Sequence, residues 1–241
     1  MKILTQNINW GGEPGAPGCD DEPRLHRLVP LLTGLDADLL VFTEYKDGPL
    51  GAELKERLAN AGYLHFSSHT QAAFKLGTAV ASRLPIAAAE LPIQPVGDPF
   101  RSIGVALNGV EIFGFYFPLG EAKIKYWDWL LANATKLKDG KVILLGDFNT
   151  GKVRIDEAAE TFDCQDEHEA LETLGFVDTW RAAYPRGRDS TWYSTAGNGF
   201  RLDYIWASPA LASSIRQVWH HHEPRLTLAS DHSAVVAEIS I

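Results

Sequence analysis

The stretch KVILLGDFNTGK, residues 141 to 152, constrains the fold more than any other part of the chain. Val142, Ile143, Leu144 and Leu145 are apolar in succession. Successive side chains of a strand point to opposite faces, so a strand with this run has no polar face to give to water. It suits a sheet covered on both sides. The run stops at Gly146, and Asp147 and Asn149 follow, flanking Phe148. Gly, Asp and Asn are ordinary turn residues when read alone. A buried strand that ends in a carboxylate and a carboxamide nevertheless raises the question of partners elsewhere in the chain.

The rest of the chain mixes strands, hairpins and helices. Lys2 to Ile8 reads as a strand, followed by the Gly/Pro-rich loop GGEPGAPGCDDEP. Arg24 to Gly34 reads as a helix, with Leu25, Leu28, Val29 and Leu32 on one face. ADLLVFTEY is a second buried strand that ends near Glu44, and GAELKERLANAG is a short helix stopped at Gly62. LGTAVASRLPI and RSIGVALNGVEIFGFYFP read as strands, the second folded at Asn108-Gly109 into a hairpin. EAKIKYWDWLLANATKL is a helix with Ile124, Trp127, Leu131 and Ala134 at helical spacing. Trp129 falls on a different face. Asp166 to Leu174 reads as a helix and STWYSTAGNGFRLDYIWAS as a hairpin. SIRQVWHHH and SAVVAEISI close the chain as strands. Strict βα alternation is absent, which argues against a doubly wound parallel sheet. The order fits two mixed, mostly antiparallel sheets packed face to face and covered by helices. No repeat, linker or low-complexity tract divides residues 1–241, so a single domain is expected.

Composition limits the function classes. The chain has 241 residues, 45% hydrophobic and 22% charged, with a net charge of −9. So acidic a chain has no global field for a polyanion, and any hold on nucleic acid must come from local groups or metal ions. The two cysteines, Cys19 and Cys164, give no disulfide framework. With neither a signal-peptide pattern nor a membrane-length apolar run, the expectation is a cytoplasmic protein.

The expected strand ends share a polar character. Asn7 follows KILTQ, Glu44 follows LLVFT, and Asp147 and Asn149 end the apolar run. Asp203 lies in RLDYIW, and Asp231-His232 in ASDHSAVV. Gathered at one sheet edge, these would form a cluster of carboxylates, carboxamides and one histidine. Clustered carboxylates repel and resist desolvation, and a divalent cation resolves both costs. Oxygen donors of this kind suit Mg²⁺ or Mn²⁺ rather than zinc. A hard cation, a histidine and an aspartate suit attack of water on a phosphoester.

The set Asn7, Glu44, Tyr116, GDFN at 146–149, RLDY at 201–204 and SDH at 230–232 resembles the endonuclease/exonuclease/phosphatase family. That family includes exonuclease III, AP endonucleases and DNase I. The likeness runs from Asn7 to His232 in the family's order, and its strength lies in the joint order of motifs. It implies a four-layered α/β (αββα) sandwich and a Mg²⁺- or Mn²⁺-dependent phosphodiesterase or phosphomonoesterase. By resemblance Glu44 is the main metal ligand, Asn7 helps hold the metal or a phosphate oxygen, and Asp231 lies near the metal. Asp147 positions and activates the attacking water, and Asn149 orients that aspartate or the phosphate. His232 faces the scissile phosphate, Asp203 braces the other ring nitrogen of His232, and Tyr116 contacts phosphate.

Each assignment has a plainer counterpart. Asn7 and Asn149 could be turn amides, Tyr116 a core aromatic, and Asp203 a surface partner of Arg201. Trp192 and Phe200 lie on the hairpin before Asp203 and are candidates for lining the site. His220, His221 and His222 alternate in direction along a strand and are read as solvent or rim residues. Cys164 and His168 lack the further soft ligands a zinc site needs.

The motifs YFPLGE, GDFN and RLDYIWAS are nearest the nucleic-acid branch, and the expected activity is hydrolysis of DNA phosphodiester bonds. The chain departs from that branch after Tyr116, where a longer basic loop is usual and only Lys123 and Lys125 are candidates for substrate contact. Gln6 stands where an aromatic is more common. These departures keep two alternatives open: action on a small or lipid phosphoester, and a binding module that kept the fold without catalysis. Neither a protein partner nor a membrane is indicated, and a monomer is expected.

Overall fold

Residues 1–69, 75–94 and 97–241 are described by the computed structural model. The strands in chain order are β1 (Lys2–Asn7), β2 (Leu39–Tyr45), β3 (His65–His69), β4 (Gly77–Ser82) and β5 (Ala87–Ala88). They continue with β6 (Ser102–Leu107), β7 (Val110–Tyr116), β8 (Val142–Asp147), β9 (Val177–Asp178) and β10 (Trp192–Tyr193). The last are β11 (Gly199–Phe200), β12 (Asp203–Ala207), β13 (Ile215–His221) and β14 (Ala234–Ile239). The α-helices are α1 (Leu25–Thr33), α2 (Pro49–Asn60), α3 (Ile124–Leu137), α4 (Gln165–Thr173), α5 (Thr179–Ala183), α6 (Pro209–Ala212) and α7 (Glu223–Leu226).

Two six-stranded sheets form, in the orders β13-β14-β1-β2-β4-β3 and β5-β6-β7-β8-β12-β9. Each has one parallel pair at its centre, β1 with β2 and β7 with β8, and antiparallel neighbours otherwise. Residue alternation along the central strands explains the layers. Ile143 and Leu145 of β8 enter the core between the sheets, together with Leu39 and Val41 of β2. Val142 and Leu144 point the other way, into a layer with Trp127, Leu130 and Ala134 of α3. Leu40 and Phe42 of β2 face Leu28, Leu32, Leu54 and Leu58 of α1 and α2. Three apolar layers between helix, sheet, sheet and helix make the expected αββα sandwich, and the continuous apolar run of β8 is required by its two buried faces.

The expected hairpin forms at Asn108-Gly109, where both residues take positive φ (52° and 77°) and Leu107 pairs with Val110. Three local readings are corrected. Ile124 is exposed at the start of α3, and the buried face runs instead through Tyr126, Trp127, Leu130, Asn133, Ala134 and Leu137. Trp129 is buried as well as Trp127, because the segment reaching Ile93 lies over that flank. Trp129 Nε1 donates to Ile93 O at 2.8 Å, and the Asn133 amide holds the same peptide. His220 is not a rim residue. It stacks on Trp180 at 4.8 Å, is buried, and bonds through Nδ1 to Asp189 at 2.8 Å. The polar edge strand β3, HFSSH, has no apolar alternation and escaped the sequence reading. Both cysteines are free, and among the described residues no helix is long and apolar enough to cross a membrane.

Candidate active site

Strand direction gathers the polar residues. In the parallel pair β1–β2, Asn7 aligns with Thr43, one residue before Glu44. In the parallel pair β7–β8, Tyr116 aligns with Asp147. Both pairs therefore end at one edge. The antiparallel strand β12 begins there, with Asp203 opposite Asp147, and Asp231 and His232 lead into β14 beside β1. Residues up to 225 positions apart meet because every one of them sits at a strand terminus.

Hydrogen bonds tie the group together. Asn7 Nδ2 donates to Glu44 Oε1 and to Asp147 Oδ2, both at 3.0 Å, while its Oδ1 accepts from Asn9 N at 2.8 Å. The carboxamide thus bridges two carboxylates with its donor side. Asp147 Oδ1 accepts from Asn149 N at 2.9 Å, and Asn149 Nδ2 reaches Phe117 O at 2.8 Å and Asp147 Oδ2 at 3.3 Å. His232 Nδ1 is bonded to Asp203 Oδ2 at 2.8 Å, and among the described residues the buried Asp203 Oδ1 has no partner. Ligand atoms of Asp147, Asp203 and His232 lie within 4.8 Å of one another. Asp147, Asp203 and His232 are buried, whereas Glu44, Tyr116 and Asp231 are half-buried at the solvent side of the group.

The backbone is bent to make this arrangement. Glu44 has φ 57° at a register shift between Thr43 and Tyr45, so a bulge turns its side chain outward between two buried neighbours. Asn149 has φ 50°. A Cβ at Gly146 would stand 2.0 Å from Phe115 O, so no other residue fits beside β7 immediately before Asp147. Left-handed non-glycine residues cost of order 1–3 kcal/mol each and persist where surrounding bonds enforce them. Here the bonds from Asn7 and Trp10 to Glu44, and from Asn149 to Asp147, do so.

Charge crowding shows in the ionisation of the group. Burial raises the Asp147 carboxyl well above its usual range, and the neighbouring charges of Asp203 and Glu44 add to this against the opposing His232. Burial alone would lower the His232 imidazole. The charges of Asp203 and Asp231 and the Asp203 hydrogen bond reverse that and hold it well above its ordinary value. Burial, Glu44 and Asp147 raise the Tyr116 phenol, which keeps it a neutral donor. Excess negative charge, an orphaned buried Asp203 oxygen and a half-exposed Glu44 fit a hard divalent cation. Each Glu44 oxygen accepts one hydrogen bond from the described residues and keeps lone pairs to offer.

The remaining sequence candidates fall in different places. Arg201 does not pair with Asp203. Its buried guanidinium bridges Asp156 (2.8 Å) and Asp178 (2.6 Å), leaving Asp203 to His232. Asp231 Oδ2 accepts from Trp192 Nε1 at 3.0 Å, and its buried Oδ1 has no partner among the described residues. Trp192 forms a bridge opposite His232, so this indole belongs to the group. Phe200 packs against Trp192 and Phe162, one step behind it. Lys123 is buried, and its ammonium bonds the Asn149 carbonyl, so it braces the Asp147–Asn149 turn from within rather than reaching into solvent. Burial also lowers its pKa. Lys125 is exposed, with its ammonium over the Tyr126 ring at 5.3 Å. Two residues had no signal in the sequence. Arg101 lies over the Tyr116 ring at 4.8 Å, and Trp10 donates its backbone N–H to Glu44 Oε2 at 2.8 Å. Both are brought in by loops, whose course periodicity does not report.

The sequence matches the Endonuclease/Exonuclease/phosphatase family over residues 4–232. The chain belongs to that family. Among solved structures, it resembles an AP endonuclease from Archaeoglobus fulgidus at 24% identity and TM-score 0.79, with all of both chains covered. That level of identity carries the fold alone. It also resembles a Neisseria 3′ phosphatase, NExo, bound to a product DNA hairpin, at 28% identity and TM-score 0.79. A third relative is the 3′-5′ exonuclease NExo from Neisseria meningitidis, at 29% identity and TM-score 0.78. Both comparisons cover all of each chain. The family's phosphoester chemistry and the DNase I-like sandwich agree with the readings drawn from the motifs.

Proposed function

We propose that this chain is a divalent-cation-dependent phosphoester hydrolase that acts on DNA, at internal phosphodiester bonds or at 3′ ends. The single observation that carries the reading is the pairing of Asp147 with Asp203–His232 across β8 and β12, beside the Asn7–Glu44 bridge. The Neisseria relatives, a 3′ phosphatase bound to a DNA product and a 3′-5′ exonuclease, support DNA as the substrate class.

Each residue has a part that follows from its contacts. Asp147, pushed toward a higher affinity for protons, accepts the proton of an attacking water. Asn7, Asn149 and the Asn149 backbone N–H hold its two oxygens in place. Asp203 accepts the hydrogen bond of the His232 Nδ1–H, which leaves the Nε2–H of the protonated ring to donate to a phosphoryl oxygen as charge develops there. The Tyr116 hydroxyl and the nearby Arg101 guanidinium supply a neutral and a charged donor for other phosphate oxygens. Mg²⁺ or Mn²⁺ would be held by Glu44 with Asn7 and Asp231 close by, and when bound it supplies positive charge to the phosphate oxygens.

A cleavage panel tests this. Purified protein in Mg²⁺, Mn²⁺ or EDTA meets end-labelled single-stranded, duplex, abasic and 3′-phosphorylated DNA, RNA, and a small phosphodiester. D147N serves as the control against a contaminating nuclease. Metal-dependent turnover of a DNA, lost in D147N, is the expected result. Turnover of the small ester alone would sink the DNA assignment while keeping the chemistry, and no turnover on any substrate would sink both.

A further inference from the structure

The loop after β1 is the most strained segment near the site. Asn9, Trp10, Gly11 and Gly12 take φ of 47°, 54°, 70° and 86° in succession. Asn tolerates this region, but for a bulky residue such as Trp it is an outlier. The segment is nevertheless fastened at Asn9, Trp10 and Gly12. Asn9 N donates to Asn7 Oδ1, Trp10 N to Glu44 Oε2, and Gly12 N to Ile8 O at 3.1 Å. Arg24 is fully buried, and its guanidinium bonds the carbonyls of Asn9 and Glu13 at either end of the loop. Among the described residues no carboxylate accepts from it. Its remaining donor serves Cys19 Sγ and Ala229 O.

The purpose of the fastening is visible in the side chain. Trp10 is 45% exposed, although an indole is among the side chains that gain most from burial. The Lys46 ammonium lies over its ring at 5.5 Å and is itself held by Glu13 at 3.0 Å. With the cation over the ring, the 45% of Trp10 that stays exposed leaves surface for a flat ligand. Strain of this kind, enforced by a buried arginine and spent on holding an aromatic in water, clusters at binding sites.

We infer that Trp10 is a stacking platform for a nucleobase next to the scissile phosphate. This rests on the DNA reading above. The backbone of Trp10 is bonded to Glu44, so a phosphate engaged there has its flanking nucleoside within reach of the indole. Every base offers a π-face, and stacking is tolerant of sequence. It also answers a difficulty of composition. A chain of net charge −9 gains little from a long-range field, and one rigid aromatic beside the site supplies affinity that does not depend on charge. Lys46 over the ring adds a local positive charge for the adjacent phosphate.

The test compares wild type, W10A and W10F by anisotropy with a labelled oligonucleotide in EDTA, and by KM with Mg²⁺ or Mn²⁺. Each measurement is repeated on a strand with tetrahydrofuran residues in place of the nucleosides on both sides of the scissile bond. Loss of one base–aromatic stack weakens binding by about 5- to 150-fold. W10A should show a loss of that size in both Kd and KM on the base-bearing strand, W10F should recover most of it, and the penalty should shrink toward unity on the base-free strand. Equal penalties on both strands, or none on either, would overturn the inference while leaving the DNA reading intact. Wild type that neither binds nor cuts any oligonucleotide would overturn both.

Discussion

Asp203→Asn is the sharpest test of how His232 is made to work. The two side chains are buried and meet at 2.8 Å through Nδ1 and Oδ2. A buried hydrogen bond to a charged partner contributes about 1.5–3 kcal/mol. If that bond serves the transition state by holding the ring, D203N should lower kcat by about 10- to 150-fold, at 1.36 kcal/mol per tenfold. Asparagine keeps the volume, and it removes a like charge that crowds Asp147, so the metal-free melting temperature should hold or rise. The decisive comparison is the double mutant. Among the described residues the one side-chain hydrogen bond of Asp203 goes to His232, so, apart from the charge it places beside Asp147, its effect should pass through the imidazole. In an H232Q background, D203N should therefore cost about threefold or less, although each single change is costly. Steady-state kinetics on a labelled DNA from the cleavage panel, for wild type, both single mutants and the double mutant, gives the coupling. Losses that multiply in the double mutant would refute the argument, because they would mean that Asp203 acts independently of His232.

Other predictions follow from single sites. Millimolar Mg²⁺ or Mn²⁺ at about 100 times Kd should raise the melting temperature by about 5–10 °C, and E44Q should abolish the rise in scanning calorimetry. His168 is fully buried among Trp127, Tyr204 and Trp206, among the described residues neither ring nitrogen is bonded, and burial lowers its pKa to about 4. Above pH 6.5 it is neutral folded and unfolded, so it adds no pH dependence. Between pH 6.5 and 4 the unfolded chain takes up a proton that the folded one refuses, so stability should fall as pH falls, by about 3 kcal/mol in all. Urea titrations across that range should show the loss in wild type and its removal in H168F, and identical pH profiles would contradict it. Arg201→Met leaves the buried Asp178 carboxylate without its guanidinium and Asp156 with Arg181 alone, so it should cost about 3–5 kcal/mol and lower the melting temperature by about 6–20 °C.

The sequence by itself determined the layers and the order of the polar strand ends. The double-faced apolar run of β8 can only be buried on both sides, and Asn-Gly between two apolar strands can only turn tightly. These are local consequences of a two-residue period and of backbone sterics, so they need no partner to be read. The GDFN, RLDY and SDH motifs were legible for the same reason, each being a short polar interruption at the end of an apolar segment.

Only the tertiary structure decided which of those residues touch. Asp203 lies closer in sequence to Arg201 than to His232, yet the register of β12 against β8 turns it to the site and gives Arg201 to Asp156 and Asp178. Lys123 reads as a candidate for substrate contact and is spent inside on the Asn149 carbonyl, because the turn after β8 folds over it. His220 reads as a rim histidine and is covered by Trp180, from a helix about forty residues earlier in the chain. The outward turn of Glu44 depends on one extra residue in β2 relative to β4, and the pose of Trp10 on an arginine buried beneath its loop. Periodicity assigns a side chain to a face of its own element. It carries no information about which other element will cover that face, because that is settled by packing between segments distant in the chain.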